Sequence, residues 1–192
     1  HAYLYWSALN SGVADDTVTF ERPGAFSSSI TALQSIVSAS TRYLSVADVT
    51  ALVQTHGVGA YRLGGVDSKE VANANDSNVF AAWWMVVLYR LDSDPLRNLI
   101  LYDGMDGVSN VTPQNITLSG FLVPPGPINA KLGIVALDGD NPTSGDAIAF
   151  AGNNLSDAQN PANNFFNGTH SYLGSAVSVA GDLPQLTGAA QS

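Results

Sequence analysis

Apolar residues in this chain come in short runs, several of them alternating with polar residues, and the runs are divided by clusters of Gly, Pro, Asn and Asp. That is the pattern of a β-rich fold. Strands are predicted at Ala2 to Ser7, Thr17 to Glu21, Ala60 to Leu63, Asn115 to Val123, Ala130 to Leu137, Ala147 to Ala151 and Tyr172 to Ala180. In Ala130 to Leu137, Leu132, Ile134 and Ala136 share one face, and Ile116 and Leu118 alternate in the same way. The strongest signal is the run Phe80 to Leu91, followed by a turn at Asp92-Ser-Asp-Pro95 and the run Arg97 to Asp103. It reads as a central hairpin whose first strand is covered on both faces. It is far shorter than the roughly 20 residues of a membrane helix, so no membrane insertion is expected.

One short helix is predicted near residues 45–56. Ser45 would cap it, Asp48 stands at the capping-box spacing, Val46, Val49 and Val53 share a face, and Gly57 ends it. The connectors Pro124 to Pro127, Asp138 to Asp146 and Asn160 to Asn164 have loop compositions. These elements predict an all-β fold: a single jelly-roll-like β-sandwich of about 8 to 10 strands over residues 1–192, with a closing strand that could be missing.

Composition narrows the partners. Sixteen Asp and Glu stand against seven Lys and Arg, and the net charge of −9 disfavours a surface that tracks nucleic-acid phosphates. The absence of cysteine excludes thiol catalysis and zinc–thiolate sites. Few residues are charged, and a surface of Ser, Thr, Asn and Gly is typical of secreted modules, which points to an extracellular or cell-surface location.

Taken in order, Ala2-Tyr-Leu-Tyr-Trp6, Asp16-Thr-Val-Thr-Phe20, Ala47-Asp-Val-Thr-Ala-Leu-Val53, Trp83-Trp-Met-Val-Val-Leu-Tyr89 and Pro95 to Gly104 resemble a β-sandwich module of large secreted or surface-anchored, adhesin-like prokaryotic proteins. The resemblance spans nearly the whole chain and implies no catalytic residues. It also implies further strands after Leu183 to Leu186, so a sheet ending at Ser192 would be short of one.

Candidate chemistry is sparse, and no enzyme is expected. Asp138, Asp140 and Asp146 share a Gly- and Asn-containing loop whose oxygens would suit Ca²⁺, with Asp103 and Asp106 as a weaker cluster. His1, with its amine and a second His, would suit a copper oxidase, but neither His56 nor His170 lies in a matching motif. Thr169-His170-Ser171 sets a hydroxyl beside an imidazole only in sequence, since neighbours on a strand face opposite ways. Asn75, Asn110, Asn115, Asn154 and Asn167 begin Asn-x-Ser/Thr glycosylation sequons and are expected to face solvent. Tyr3, Tyr5, Tyr43, Tyr61, Phe165 and Phe166 are candidate sugar-stacking platforms.

The leading expectation is a structural or adhesive module that self-associates through sheet edges or joins other domains of a longer surface protein, with the strand from His1 to Trp6 as one donor. The alternative is a calcium-assisted module that binds glycans.

Overall fold

The computed structural model describes residues 1–38, 41–69, 79–109, 111–123, 125–137, 139 and 141–177. They fall in two compact units: His1–Gly107 with Asn115–Ala130, and Val108–Gln114 with Lys131–Ser192. The fold is all-β, with antiparallel sheets and one short helix.

In the first unit the strands are β1 (Ala2–Leu9), β2 (Thr17–Arg22), β3 (Phe26–Thr31), β4 (Gln34–Val37), β5 (Arg42–Asp48), β6 (Arg62–Gly64) and β7 (Ala81–Val87). One sheet has the order β4-β5-β1-β7 and the other β3-β2-β6. They face each other across a core in which Leu4, Trp6 and Ala8 of β1 and Tyr43 and Ala47 of β5 meet Val18 and Phe20 of β2. Met85 of β7, Phe26 and Ile30 of β3, and Leu63 of β6 pack around them, giving a sandwich. β1 can be central because Leu4, Trp6 and Ala8 point into this core while Tyr5 and Ser7, on its other face, are also buried.

The helix α1 (Thr50–His56) is shorter than the sequence suggests. Ser45 belongs to β5 opposite Trp6. It is fully buried, and its hydroxyl donates to the Asp15 carbonyl at 2.7 Å. Burial of Tyr43, Ser45 and Ala47 in the ladder therefore overrides the capping signal. Asp48 does the capping from just outside the helix: its Oδ1 accepts the Thr50 N–H at 2.8 Å. Gly57 closes the helix at φ 68° and donates its N–H to Val53, as expected.

The predicted central hairpin is the main correction. β7 pairs with β1, in the register Trp6 to Trp83 and Leu4 to Met85, and lies at the edge of its sheet. Residues 97–103 join no ladder, although the intervening turn is present, with Asp94 N–H bonded to the Leu91 carbonyl at 3.0 Å. Trp and Val content signals a strand but not its place in the sheet, and an edge strand with one apolar face reads much like a central one. The runs 115–123 and 130–137 also lie outside any ladder among the described residues, and Ile116, Leu122, Leu132 and Ile134 are exposed.

The second unit contains β8 (Ala149–Phe150), β9 (Asn153–Asn154), β10 (Ser171–Tyr172) and β11 (Ser175–Ala176), paired as two tight hairpins. Their turns, Ala151-Gly152 (φ 49° and 80°) and Leu173-Gly174 (φ 49° and 77°), hold two left-handed residues each, as type I′ turns do. Of the predicted strand Tyr172 to Ala180, residues 178–180 lie outside the described residues.

Candidate functional site

The most distinctive surface of the first unit is the free edge of β7. Leu9 N–H bonds to the Phe80 carbonyl at 3.2 Å, and His1 and Leu88 exchange bonds at 2.8 Å. Because hydrogen-bonded and non-bonded pairs alternate in an antiparallel ladder, Ala82, Trp84 and Val86 spend their backbone groups on β1. Ala81, Trp83, Met85 and Val87 therefore aim their N–H and C=O groups outward, and no strand among the described residues takes them. The edge also lacks the usual protection: β7 contains no charge and no Pro, and Trp83 and Val87 are 38% and 40% exposed.

The outer face of the same sheet is lined by Tyr5 and Trp84, stacked at 5.1 Å and 5°, with the Tyr5 hydroxyl donating to Asp103 at 3.1 Å. Burial, and next the Asp103 carboxylate, push the Tyr5 phenol up to about 12. Beside them Gln34, Ile36, Leu44, Val46, Asp103 and Gly104 line a small hollow. Asp103 is thus engaged by a phenol through its Oδ2.

The other predicted chemical residues scatter. The His1 nitrogen that a copper brace would use donates to the Leu88 carbonyl, and its ring stacks on Tyr3. His56 stacks on Phe26 at 4.5 Å at the end of α1. Ser171 gives its hydroxyl to Asn160 Oδ1 at 2.5 Å. Among the candidate sugar platforms Tyr5 and Tyr43 are buried, and Tyr3, Tyr61, Phe165 and Phe166 are half-buried. Tyr43 bonds the Asp67 carbonyl at 2.8 Å, Tyr61 stacks on Phe20, and the two Phe rings meet edge to face at 5.3 Å. Packing claims these rings.

In the second unit the loop ending at Asp146 is stitched to the Asn-rich segment. Phe166 N–H donates to Asp146 Oδ1 at 2.6 Å, Gly145 N–H to the Asn163 carbonyl at 2.6 Å, and Asn164 Nδ2 to the Asn141 carbonyl at 2.7 Å. A Cβ at Gly139 would lie 2.0 Å from the Phe166 carbonyl oxygen, so only glycine fits there. Asn164 Oδ1 is a buried acceptor with no partner among the described residues. Its amide cannot be turned around, because Nδ2 is needed by the Asn141 carbonyl. Asp138 and Asp140 lie outside the described residues, and among the described residues no three His, Asp or Glu side chains gather to hold a metal.

The sequons also divide. Asn115 and Asn154 are exposed, as expected, and Asn75 and Asn110 lie outside the described residues. Asn167 contradicts the expectation: it is buried, its Nδ2 donates to the Gln159 carbonyl at 2.8 Å and its Oδ1 accepts the Thr169 N–H at 3.1 Å. A short polar side chain that can bond its own loop is favoured inside a turn, whatever sequon it begins. Sequence reasoning missed this role, and missed that of Asn160, although the density of Asn in residues 160–167 was its signal.

No family model, curated protein or solved structure matches the chain. No helix among the described residues is long and apolar enough to cross a membrane.

Proposed function

We propose that the chain is a non-enzymatic structural or adhesive module of a cell surface or extracellular filament, and that copies of it associate through the edge of β7. The observation that carries this reading is the row of outward backbone groups at Ala81, Trp83, Met85 and Val87, on a strand free of charge and Pro. An added antiparallel strand would satisfy those groups and shield Trp83 and Val87. β1 is not the donor, because it is already paired on both sides by β5 and β7. The charge-poor surface and the resemblance to adhesin-like modules support an extracellular setting.

Val87→Pro tests the reading, since Pro there removes an outward N–H and no ladder bond. The expected result is concentration-dependent association of the native chain by sedimentation, and a folded monomer for the variant. Val86→Pro, which breaks the β1 ladder, is expected to unfold the sheet. Association unchanged by Val87→Pro would remove the β7 edge from the account.

A calcium-assisted glycan-binding module is the second reading. The orphan Asn164 Oδ1 beside a loop that carries Asp146 favours it, because a cation would satisfy that acceptor. It predicts that calcium raises the thermal midpoint and that glycan-array binding disappears in chelator. A midpoint indifferent to calcium sinks it.

A further inference from the structure

We propose that Asn167 and Gly168 form a latent self-modification site that the fold of the second unit holds shut. They are the chain's only Asn-Gly pair. Glycine leaves its backbone nitrogen unhindered by a Cβ. Once solvent base removes its proton, the Gly168 nitrogen can attack Cγ of Asn167. A bond forms between that nitrogen and Cγ, the Cγ–Nδ2 bond breaks, and Nδ2 departs with protons from solvent as ammonia. Water then opens the five-membered imide at either carbonyl, leaving aspartate or its β-linked isomer. The chain gains one negative charge, and neither oxidant nor metal is needed.

The native loop opposes this step at both ends of the amide. Nδ2, the leaving group, is tied to the Gln159 carbonyl at 2.8 Å. Oδ1 is held by the N–H of Thr169, one residue beyond the attacking nitrogen, at 3.1 Å. The residue is only 9% exposed, and Gly168 is fixed at φ 76°. Around it, Asn160 bonds the Phe165 carbonyl at 2.8 Å and receives the Ser171 hydroxyl, while Asp157 Oδ1 accepts the N–H groups of Gln159 and Asn160 at 2.7 and 2.9 Å. Cyclisation therefore requires the loop to open. Once it has occurred, a carboxylate at position 167 has no hydrogen to give the Gln159 carbonyl and repels it, so the loop cannot close again as before. The site becomes a one-way record of opening.

Peptide mapping for ammonia loss and isoaspartate, in mildly alkaline buffer with and without denaturant, tests the proposal. The native chain is expected to convert at Asn167 more slowly than the denatured chain by at least about tenfold, as protection by a folded loop requires. Asn160→Ala, which removes two loop bonds, should speed conversion in native buffer. Equal rates in the native and denatured wild-type chain would overturn the proposal, as would an Asn167 that survives in the denatured chain.

Discussion

Asp15 shows how much a single residue organises. Its carbonyl accepts the Trp6 indole N–H at 2.9 Å and the Ser45 hydroxyl at 2.7 Å, while its carboxylate accepts the N–H groups of Thr17 and Asp67 at 3.1 and 2.9 Å. The polar atoms of a buried indole and a buried serine are thereby satisfied where a core would otherwise leave them bare. Tyr43 is treated alike: burial and then the carboxylates of Asp15 and Asp67 raise its phenol well above the ordinary value. Tyr5 and Tyr43 therefore hold their protons in the fold more tightly than in the unfolded chain. The stability they contribute is complete below the unfolded value of 10.0 and is lost as pH rises through the folded values, about 12 for Tyr5. An alkaline titration followed by phenolate absorbance should show these two ionising late, together with loss of tertiary signal. Leu173 offers a test of the opposite sense. It holds φ 49° while 73% exposed, so Leu173→Asn gives up little burial and suits the turn better. Thermal unfolding of the second unit should show a gain of about 0.5 to 1 kcal/mol.

At the level of elements, sequence and fold agree where side-chain alternation faces a core. β1 and β2 lie where the pattern places them, because Leu4, Trp6, Val18 and Phe20 sit at period two and are all buried. β3 was hidden by its serines: Phe26, Ser28 and Ile30 do alternate inward with Ser27, Ser29 and Thr31 outward, but Ser carries no strand signal. β5 was hidden by a helix-like spacing of valines that runs on into a true helix starting two residues after the strand ends. The place of β7 at the edge was not legible, because a strand's own residues do not reveal which neighbours it pairs with. Of the candidate site, Trp83 to Val87 was named by its pattern, whereas the outward row of backbone groups follows from register alone. Asp48 was named too, in a different role. Its bond to Thr50 lowers the carboxyl below its ordinary 3.8, so its support for α1 is full above that value and fades as pH falls through the lower folded one. Asp48→Ala should fray the first turn of α1 at neutral pH, seen as faster exchange of the Thr50 amide, and acid should mimic it in the native chain.

Across the molecule, the two units hold their folds by different means. The first buries Trp6, Tyr43 and Phe20 between two sheets, and the second relies on Asn160, Asn167 and Asp157 bonding their own loop. A core of the first kind stabilises through apolar area, while a network of the second kind holds only as long as each partner stays in place. Among the described residues no three His, Asp or Glu side chains gather to hold a metal, and the β7 edge is the surface with the clearest unmet chemistry there. Residue-resolved amide exchange on this strand, compared between dilute and concentrated protein, tests that claim most directly. Ala82, Trp84 and Val86 should be protected at every concentration, while Ala81, Trp83, Met85 and Val87 should exchange rapidly when dilute and become protected on association. Protection of those four in the dilute monomer, or their continued rapid exchange in the associated state, would contradict the account.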